Sequence, residues 1–235
     1  MATGSLTGWV ARTVTAANRL RGQLSYQERC RELIARHAAG RSFVDVGCLW
    51  NVDGAYAFHA LAHGAAAVTA LDVLPVTPEF VARNRASGDR IRFVQGDVNE
   101  PATRDAIGTA DVVFCSGVLY HVPNPILTLE RLHGLCGTTL ILGCATIPEQ
   151  RHPQSAVFLP LLPAQARDAL TYRTGAEKIG LDSQFVPQWG YGNWFWGFTP
   201  SCVEAMVRTA GFEVVERHRF RRALCLVCHR AREGQ

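Results

Sequence analysis

The sequence predicts an α/β chain built on a doubly wound, mainly parallel sheet, and three observations predict it. From Ser42 to Cys144, short apolar runs alternate with segments of helical spacing. The strand-like runs are continuously apolar, as strands buried on both faces must be. The first four runs also lead into Gly47, Asp72, Gly96 and Ser116, residue types a ligand meets at the carboxyl edge of such a sheet.

The elements follow in order. Tyr26 to His37 carries Tyr26, Cys30, Leu33 and Ile34 at helical spacing and stops at Gly40. Ser42 to Val46 is the first strand. Gly54 to Ala62 is a helix closed by Gly64, and Ala67 to Leu71 is a second strand that delivers Asp72 at its edge. Thr77 caps a helix to Arg85, with Pro78 in its first position. Ile91 to Val94 and Asp111 to Cys115 are strands three and four, Ile126 to Leu135 is a crossover helix, and Thr138 to Cys144 is strand five.

The alternation stops at about Thr146. Between there and Phe198 lie Pro148, Pro153, Pro160, Pro163 and Pro187, then the run Gln188-Trp-Gly-Tyr-Gly-Asn-Trp-Phe-Trp-Gly-Phe198. Such a dense aromatic run with interspersed glycines fits neither one strand face nor a helix, and reads as an insertion or lid over a site. Thr199 to Ala210 is a helix with a Thr-Pro start, a capping-box-like Ser201 to Glu204 and Gly211 as its stop, and Phe212 to Arg219 with Arg222 to Cys228 forms a terminal strand pair. Arg217, Arg219 and Arg221 fall on one face of that pair at period two. The domain expectation is an N-terminal helical cap over 1–39 and one domain over 40–235, with 146–198 inserted after strand five.

Composition bounds the function. With 235 residues, 48% of them hydrophobic, the chain can bury one large core. No stretch is long and apolar enough to span a membrane, and no signal-peptide core opens the chain, so the expected place is the cytoplasm. Residues 1 to 27 lack acids but contain Arg12, Arg19 and Arg21, a transit-peptide-like composition. A solvated helix with Trp9, Val10, Val14 and Leu20 inward is the preferred reading. The net charge of +4 does not call for nucleic acid. Lys178 is the one lysine, a bias of the kind a GC-rich genome produces. Cys48, Cys115, Cys136, Cys144 and Cys225 lie in or beside apolar runs and read as buried free thiols. Cys225-Leu-Val-Cys228-His229 matches a haem-attachment pattern, but it sits within a strand-like run and has no second Cys/His pair at ligand spacing. No metal is expected.

Four ordered motifs carry the chemistry: Asp45-Val-Gly47-Cys48 with Asp53-Gly54, Asp72, Gly96-Asp97-Val98, and Ser116-Gly117-Val-Leu-Tyr120-His121-Val-Pro-Asn-Pro125. Together they resemble class I S-adenosylmethionine-dependent methyltransferases, in the subgroup that includes the tRNA wobble-uridine carboxymethyltransferases and many small bacterial enzymes. The resemblance covers residues 40 to 145, with a weaker match from Phe198 to Phe212. It implies a Rossmann-like, mainly parallel seven-stranded sheet ending in an antiparallel hairpin. It also implies S-adenosylmethionine as cofactor and S-adenosylhomocysteine as product.

The resemblance places Asp45, Gly47 and Cys48 near the methionyl portion and Asp72 and Val73 at the ribose. Asp97 and Val98 go to the adenine, and Ser116 and Gly117 under the sulfonium. Helix capping is the competing role for the acids, above all Asp45 and Asp53. Leu49 to Val52 lengthens the first turn relative to the family pattern and brings Trp50 to the cofactor mouth. His121 suits the removal of an acceptor proton near neutral pH, with packing as its alternative role. His152 is a weaker candidate, a solvated loop residue in the plainer reading. Tyr120, Tyr191, Trp194 and Trp196 are expected to shape an acceptor pocket, with insertion core as the alternative.

These readings converge on methyl transfer to a small-molecule acceptor, an oxygen of a sugar or phenol-like natural product, by a monomer or homodimer. A tRNA acceptor held by the terminal arginines, Arg217 to Arg222 with Arg230 and Arg232, is the first alternative. A non-catalytic cofactor-binding module is the second. A carboxylated cofactor fits the same residues.

Overall fold

The computed structural model describes residues 24–170 and 184–231. The expected helix around Trp9 to Leu20, Lys178 and Arg232 lie outside the described residues. The chain opens with helix α1 (Tyr26–Ala38), where Ser25 and Glu28 form a reciprocal capping box. There follow β1 (Ser42–Val46), α2 (Ala55–Ala62), β2 (Ala67–Asp72), α3 (Pro78–Ala86), β3 (Ile91–Gln95), α4 (Pro101–Ile107) and β4 (Ala110–Ser116). A single 3-10 turn, Leu119–His121, leads to α5 (Pro125–Leu135) and β5 (Cys136–Ala145). Next come β6 (Ala156–Phe158), α6 (Ala164–Leu170), a second 3-10 segment at Pro187–Gly192 and β7 (Trp196–Phe198). Helix α7 (Pro200–Thr209) and strands β8 (Phe212–Arg219) and β9 (Ala223–Arg230) complete the described chain.

Seven strands form one sheet in the order β3-β2-β1-β4-β5-β9-β8. The first five are parallel, and β9 runs antiparallel to both β5 and β8. This is the expected architecture, Rossmann-like with an antiparallel terminal hairpin. The order reverses between β1 and β4, so their carboxyl ends border the crevice where such sheets take ligands.

Alternate strand residues feed two cores. Val44, Val113, Leu140, Leu142 and Leu226 pack with Leu129 and Leu132 of α5 and Val203 and Val207 of α7. Phe43, Phe114, Ile141 and Val227 pack with Leu33 and Ile34 of α1 and Tyr56 and Phe58 of α2. A fully buried leucine contributes about 1.5–3 kcal/mol. The Asn124 cap on α5 contributes about 1 kcal/mol, so packing rather than capping holds α5.

The same alternation explains the Cys225–His229 run. Cys225 faces the α1/α2 core and Cys228 the α5/α7 core, because residues three apart on a strand point to opposite faces. The two thiols cannot reach one ligand.

Several expectations are corrected. Ser201 does not cap α7. Thr199 does, accepting from the Cys202 N–H, while Ser201 donates through N–H and hydroxyl to Glu149. Glu204 is instead bound by Arg217 at 2.8 Å and Arg219 at 3.1 Å. Arg221 does not share their strand face, since β8 ends at Arg219 and Phe220 turns the hairpin by donating to the Ala223 carbonyl. Helix α4 was not expected; it buries only Thr103 and has no side-chain cap.

Gly54 shows how tightly the first turn is built. It adopts φ 72°, and a Cβ there would stand 2.5 Å from the Phe80 ring on α3. Gly54→Ala should lower stability in urea unfolding by about 2–4 kcal/mol, summing a left-handed backbone penalty and overpacking. A loss under about 0.5 kcal/mol would mean that Phe80 swings aside freely.

Candidate active site

The turn after β1 leaves the sheet through Gly47 at φ 78°, where a Cβ would collide with Val118 on the loop after β4. The two loops that border the switch point therefore touch. Gly47 and Cys48 both donate to the Leu71 carbonyl of β2. Leu49 donates its N–H to Asp72 Oδ2 at 2.7 Å, and Leu74 donates to Oδ1 at 2.9 Å. The Asn51–Gly54 coil then closes with Asn51, Asp53 and Gly54 at positive φ. Asp53 accepts from the Thr77 hydroxyl and caps nothing on α2.

Three acids line the strand ends. Asp45 is 1% exposed, and its Oδ2 accepts from Ala57 N–H in the first turn of α2, so it does act on that helix. Burial, opposed by the Ala57 bond and reinforced by the nearby Asp72 carboxylate, pushes its carboxyl up to about 7. Asp97 accepts from Asn99 N–H through Oδ1 and from the Tyr191 hydroxyl through Oδ2 at 2.5 Å. Burial and the Asp97 carboxylate together push the Tyr191 phenol up to about 12.

The acids, Gly47, Ser116 and Gly117 thus gather at one edge, as the sequence led us to expect. The buried side chains of Cys48 and Val98 pack into the two cores, leaving only their backbones for a ligand. Val73 is exposed, with its carbonyl near Gln95 Nε2.

His121 is partly buried in the 3-10 turn after β4. Its Nδ1 lies 2.8 Å from the carbonyl oxygen of Asn193 in the insertion. A carbonyl can only accept, so Nδ1 carries the proton and Nε2 keeps its lone pair. Burial holds the imidazole below its ordinary range, partly offset by that hydrogen bond. Tyr120 stacks on Trp194 with ring centroids 4.1 Å apart, and Trp194 also meets His121 edge-on.

The other aromatic candidates lie elsewhere. Tyr191 sits on Asp97 rather than with Tyr120 and Trp194. Trp196 in β7 packs at the margin of the α5/α7 core against Phe198 and Phe158, its indole N–H donating to the Pro123 carbonyl. The edge of the exposed Trp50 ring approaches Gly192, so the lengthened first turn meets the insertion. His152 is exposed and only its carbonyl is engaged, by Ser155.

Sequence reasoning missed Tyr26. Its hydroxyl lies 2.6 Å from Ser116 Oγ at the end of β4, in a space that exists because residue 143 has no Cβ. The contact spans 90 residues, and the one local signal was an aromatic residue opening a helix.

Residues 44–137 match the family model described as a methyltransferase domain. That span of the chain carries a methyltransferase domain. Among curated proteins it is similar to the ubiquinone biosynthesis O-methyltransferase of Vibrio campbellii, 31% identical over 142 residues, which is 60% of this chain and 52% of that protein. The chain spans about half the length of the curated relatives it matches.

Its fold resembles the 1,6-didemethyltoxoflavin-N1-methyltransferase of Burkholderia thailandensis, solved with 1,6-didemethyltoxoflavin and S-adenosylhomocysteine. The TM-score is 0.61 at 17% identity, covering 99% of this chain and 92% of that one. It also resembles the N-terminal domain of EvdMO1 with S-adenosylhomocysteine bound, with a TM-score of 0.58 at 15% identity, covering 87% and 80%. The methyltransferase domain thus has its Gly turn, three acids and His121 at the edge described above.

Asp45 makes the domain's stability depend on pH. Its folded value lies above the ordinary 3.8, so its contribution is fully present below about pH 4 and lost as pH rises through about 7. The thermal midpoint of the ligand-free protein should fall between about pH 5 and about pH 8, and Asp45→Asn should flatten that fall. An unchanged slope in the variant would assign the titration to another group.

Proposed function

We propose that this chain is a methyltransferase that moves the methyl group of S-adenosylmethionine to an oxygen of a small hydroxylated acceptor, a sugar or phenol-like metabolite. The observation that carries the reading is the placement of His121, neutral and with Nε2 free, beside a crevice edged by Asp45, Asp72 and Asp97.

The donor set suits the cofactor. Asp45 is a buried carboxyl whose only charged neighbour among the groups acting on it is another carboxylate, so it calls for a cation such as the cofactor's ammonium. Asp72 retains lone pairs for ribose hydroxyls beyond the two backbone N–H groups it accepts. Asp97 can accept an exocyclic amine in the same way, with Val98 N–H alongside. Ser116 and Gly117 line the crevice on the β4 side.

When bound, the cofactor supplies a methyl group on a positively charged sulfur. In-line attack by an acceptor oxygen would draw on that group, the O–C bond forming as the C–S bond breaks and the bonding pair staying on sulfur. His121 Nε2 takes the acceptor proton, with Nδ1–H held by Asn193. Tyr120 and Trp194 wall the acceptor side, with Asn193 and Phe195 of the insertion bonded to His121 and Tyr120 beside them. Most of the acceleration comes from holding oxygen and methyl carbon in line; base assistance adds roughly 10²–10⁴-fold.

The O-methyltransferase names of the curated relatives support oxygen as the acceptor atom. The RNA reading has less to rest on, because among its arginines Arg217 and Arg219 pair with Glu204 and Arg230 donates to the His133 and Cys136 carbonyls.

Transfer of labelled methyl to a panel of phenols and sugars, followed by mass spectrometry, tests the proposal. A labelled product is expected, with Asp72→Ala weakening S-adenosylhomocysteine binding by about tenfold or more. His121→Ala should lower kcat by about 100-fold while leaving that affinity within about twofold. Calorimetry showing no binding of S-adenosylhomocysteine would sink the reading. Binding without turnover on any acceptor would leave a cofactor-binding module.

A further inference from the structure

One short segment of the insertion touches both ends of the site. Tyr191 donates its hydroxyl to Asp97 Oδ2, at the edge of β3. Two residues on, the Asn193 carbonyl accepts from His121 Nδ1. Beyond that, Trp194 stacks on Tyr120, and Phe195 N–H donates to the Tyr120 carbonyl at 2.9 Å. Residues 191–195 thus run as a strap from a cofactor-side carboxylate to the candidate base.

The strap is braced from within. Asn193 is 3% exposed, and its side chain is fully used: Nδ2 donates to the Val186 and Gly190 carbonyls, and Oδ1 accepts from Val186 N–H. Gly190, at φ 48° and ψ −121°, breaks the 3-10 segment so that the chain can turn back on itself. The edge of the Trp50 ring flanks the strap at Gly192. An asparagine whose every side-chain group braces its own loop leaves its backbone carbonyl fixed in space, and that carbonyl meets the imidazole.

We infer that Tyr191 and Asn193 are positioning residues for His121: Asn193 selects the Nδ1–H tautomer that leaves Nε2 free toward the acceptor, and Tyr191 latches the strap that carries Asn193 onto Asp97. The inference rests on the methyl-transfer reading above for its consequence, though not for its geometry. The Nδ1–H form is the less favoured tautomer of a free imidazole, so a fixed acceptor is needed to hold it. The Tyr191 bond to a carboxylate is of the charge-assisted kind, roughly twice as strong as a neutral pair, which suits a latch. Tyr191 therefore acts at a distance, through Gly192, the one residue that separates it from Asn193.

The test reads the imidazole directly. In protein with ¹⁵N-labelled histidine, long-range ¹H–¹⁵N correlation should show His121 as the neutral Nδ1–H tautomer, assigned by its loss in His121→Gln. In Tyr191→Phe the signal should move toward the Nε2–H form, with the urea midpoint close to that of the parent. Asn193→Ala should do the same if it folds; Tyr191→Phe alone decides the matter if it does not.

Kinetics supply the second arm. Tyr191→Phe should lower kcat about tenfold in the parent and less than about twofold in His121→Ala, because the two residues act as one unit. An Nδ1–H tautomer retained in Tyr191→Phe, or an equal loss of kcat in both backgrounds, would overturn the inference. The tautomer needs no turnover, so failure to find an acceptor leaves this test intact. Loss of turnover in His121→Ala with no tautomer change in Tyr191→Phe would keep the proposed function and remove the strap.

Discussion

The hydrogen bond from Leu49 N–H to the Asp72 carboxylate is the contact on which the rest of the site depends. It is buried and joins the first turn to the end of the neighbouring strand, where breaking it would strand a carboxylate away from water. With Leu49 held there, the following coil must double back, and it does so through three residues at positive φ, Asn51, Asp53 and Gly54. That path sends Trp50 outward to meet Gly192. The acid that resembles a ribose ligand therefore also sets where the first turn meets the insertion, and a ligand at Asp72 would bear on both.

The insertion answers this from the other side. Its small sheet, β6 with β7, and the cluster around Ile147 and Leu159 make it a unit with its own apolar packing. Its aromatic run divides by function. Trp194 meets Tyr120 and His121, whereas Trp196, two residues later, packs on Phe198 and Phe158. Asn193 stands just before Trp194 and ties the run to itself.

How much of this was legible in the sequence follows the range of the interactions. Strands β1 to β5 were readable because burial on both faces demands unbroken apolar residues, and their bounds moved by two residues or fewer. The places of Asp45, Asp72 and Asp97 were readable because they lie at or beside the ends of parallel strands at one edge of the sheet. Helix α4 was not, since seven residues with one buried threonine leave no periodic signal. The cap of α7 was misplaced because Thr199 and Ser201 are both competent, and only the position of Glu149 decides between them. Tyr26, Tyr191 and Asn193 act through contacts 72 to 94 residues away, which no local pattern encodes.

His121 shows why the surroundings of a base matter as much as its identity. A solvated histidine is half protonated near pH 6.5 and free to choose its tautomer. Here Tyr120 and Trp194 keep water from the ring and hold its pKa down, which preserves the neutral form that can accept a proton. The ring's position leaves open which nitrogen carries the proton until a partner is fixed. A fixed acceptor on Nδ1 removes that difficulty. The aromatic wall and the Asn193 carbonyl are therefore two parts of one requirement, and neither would suffice without the other.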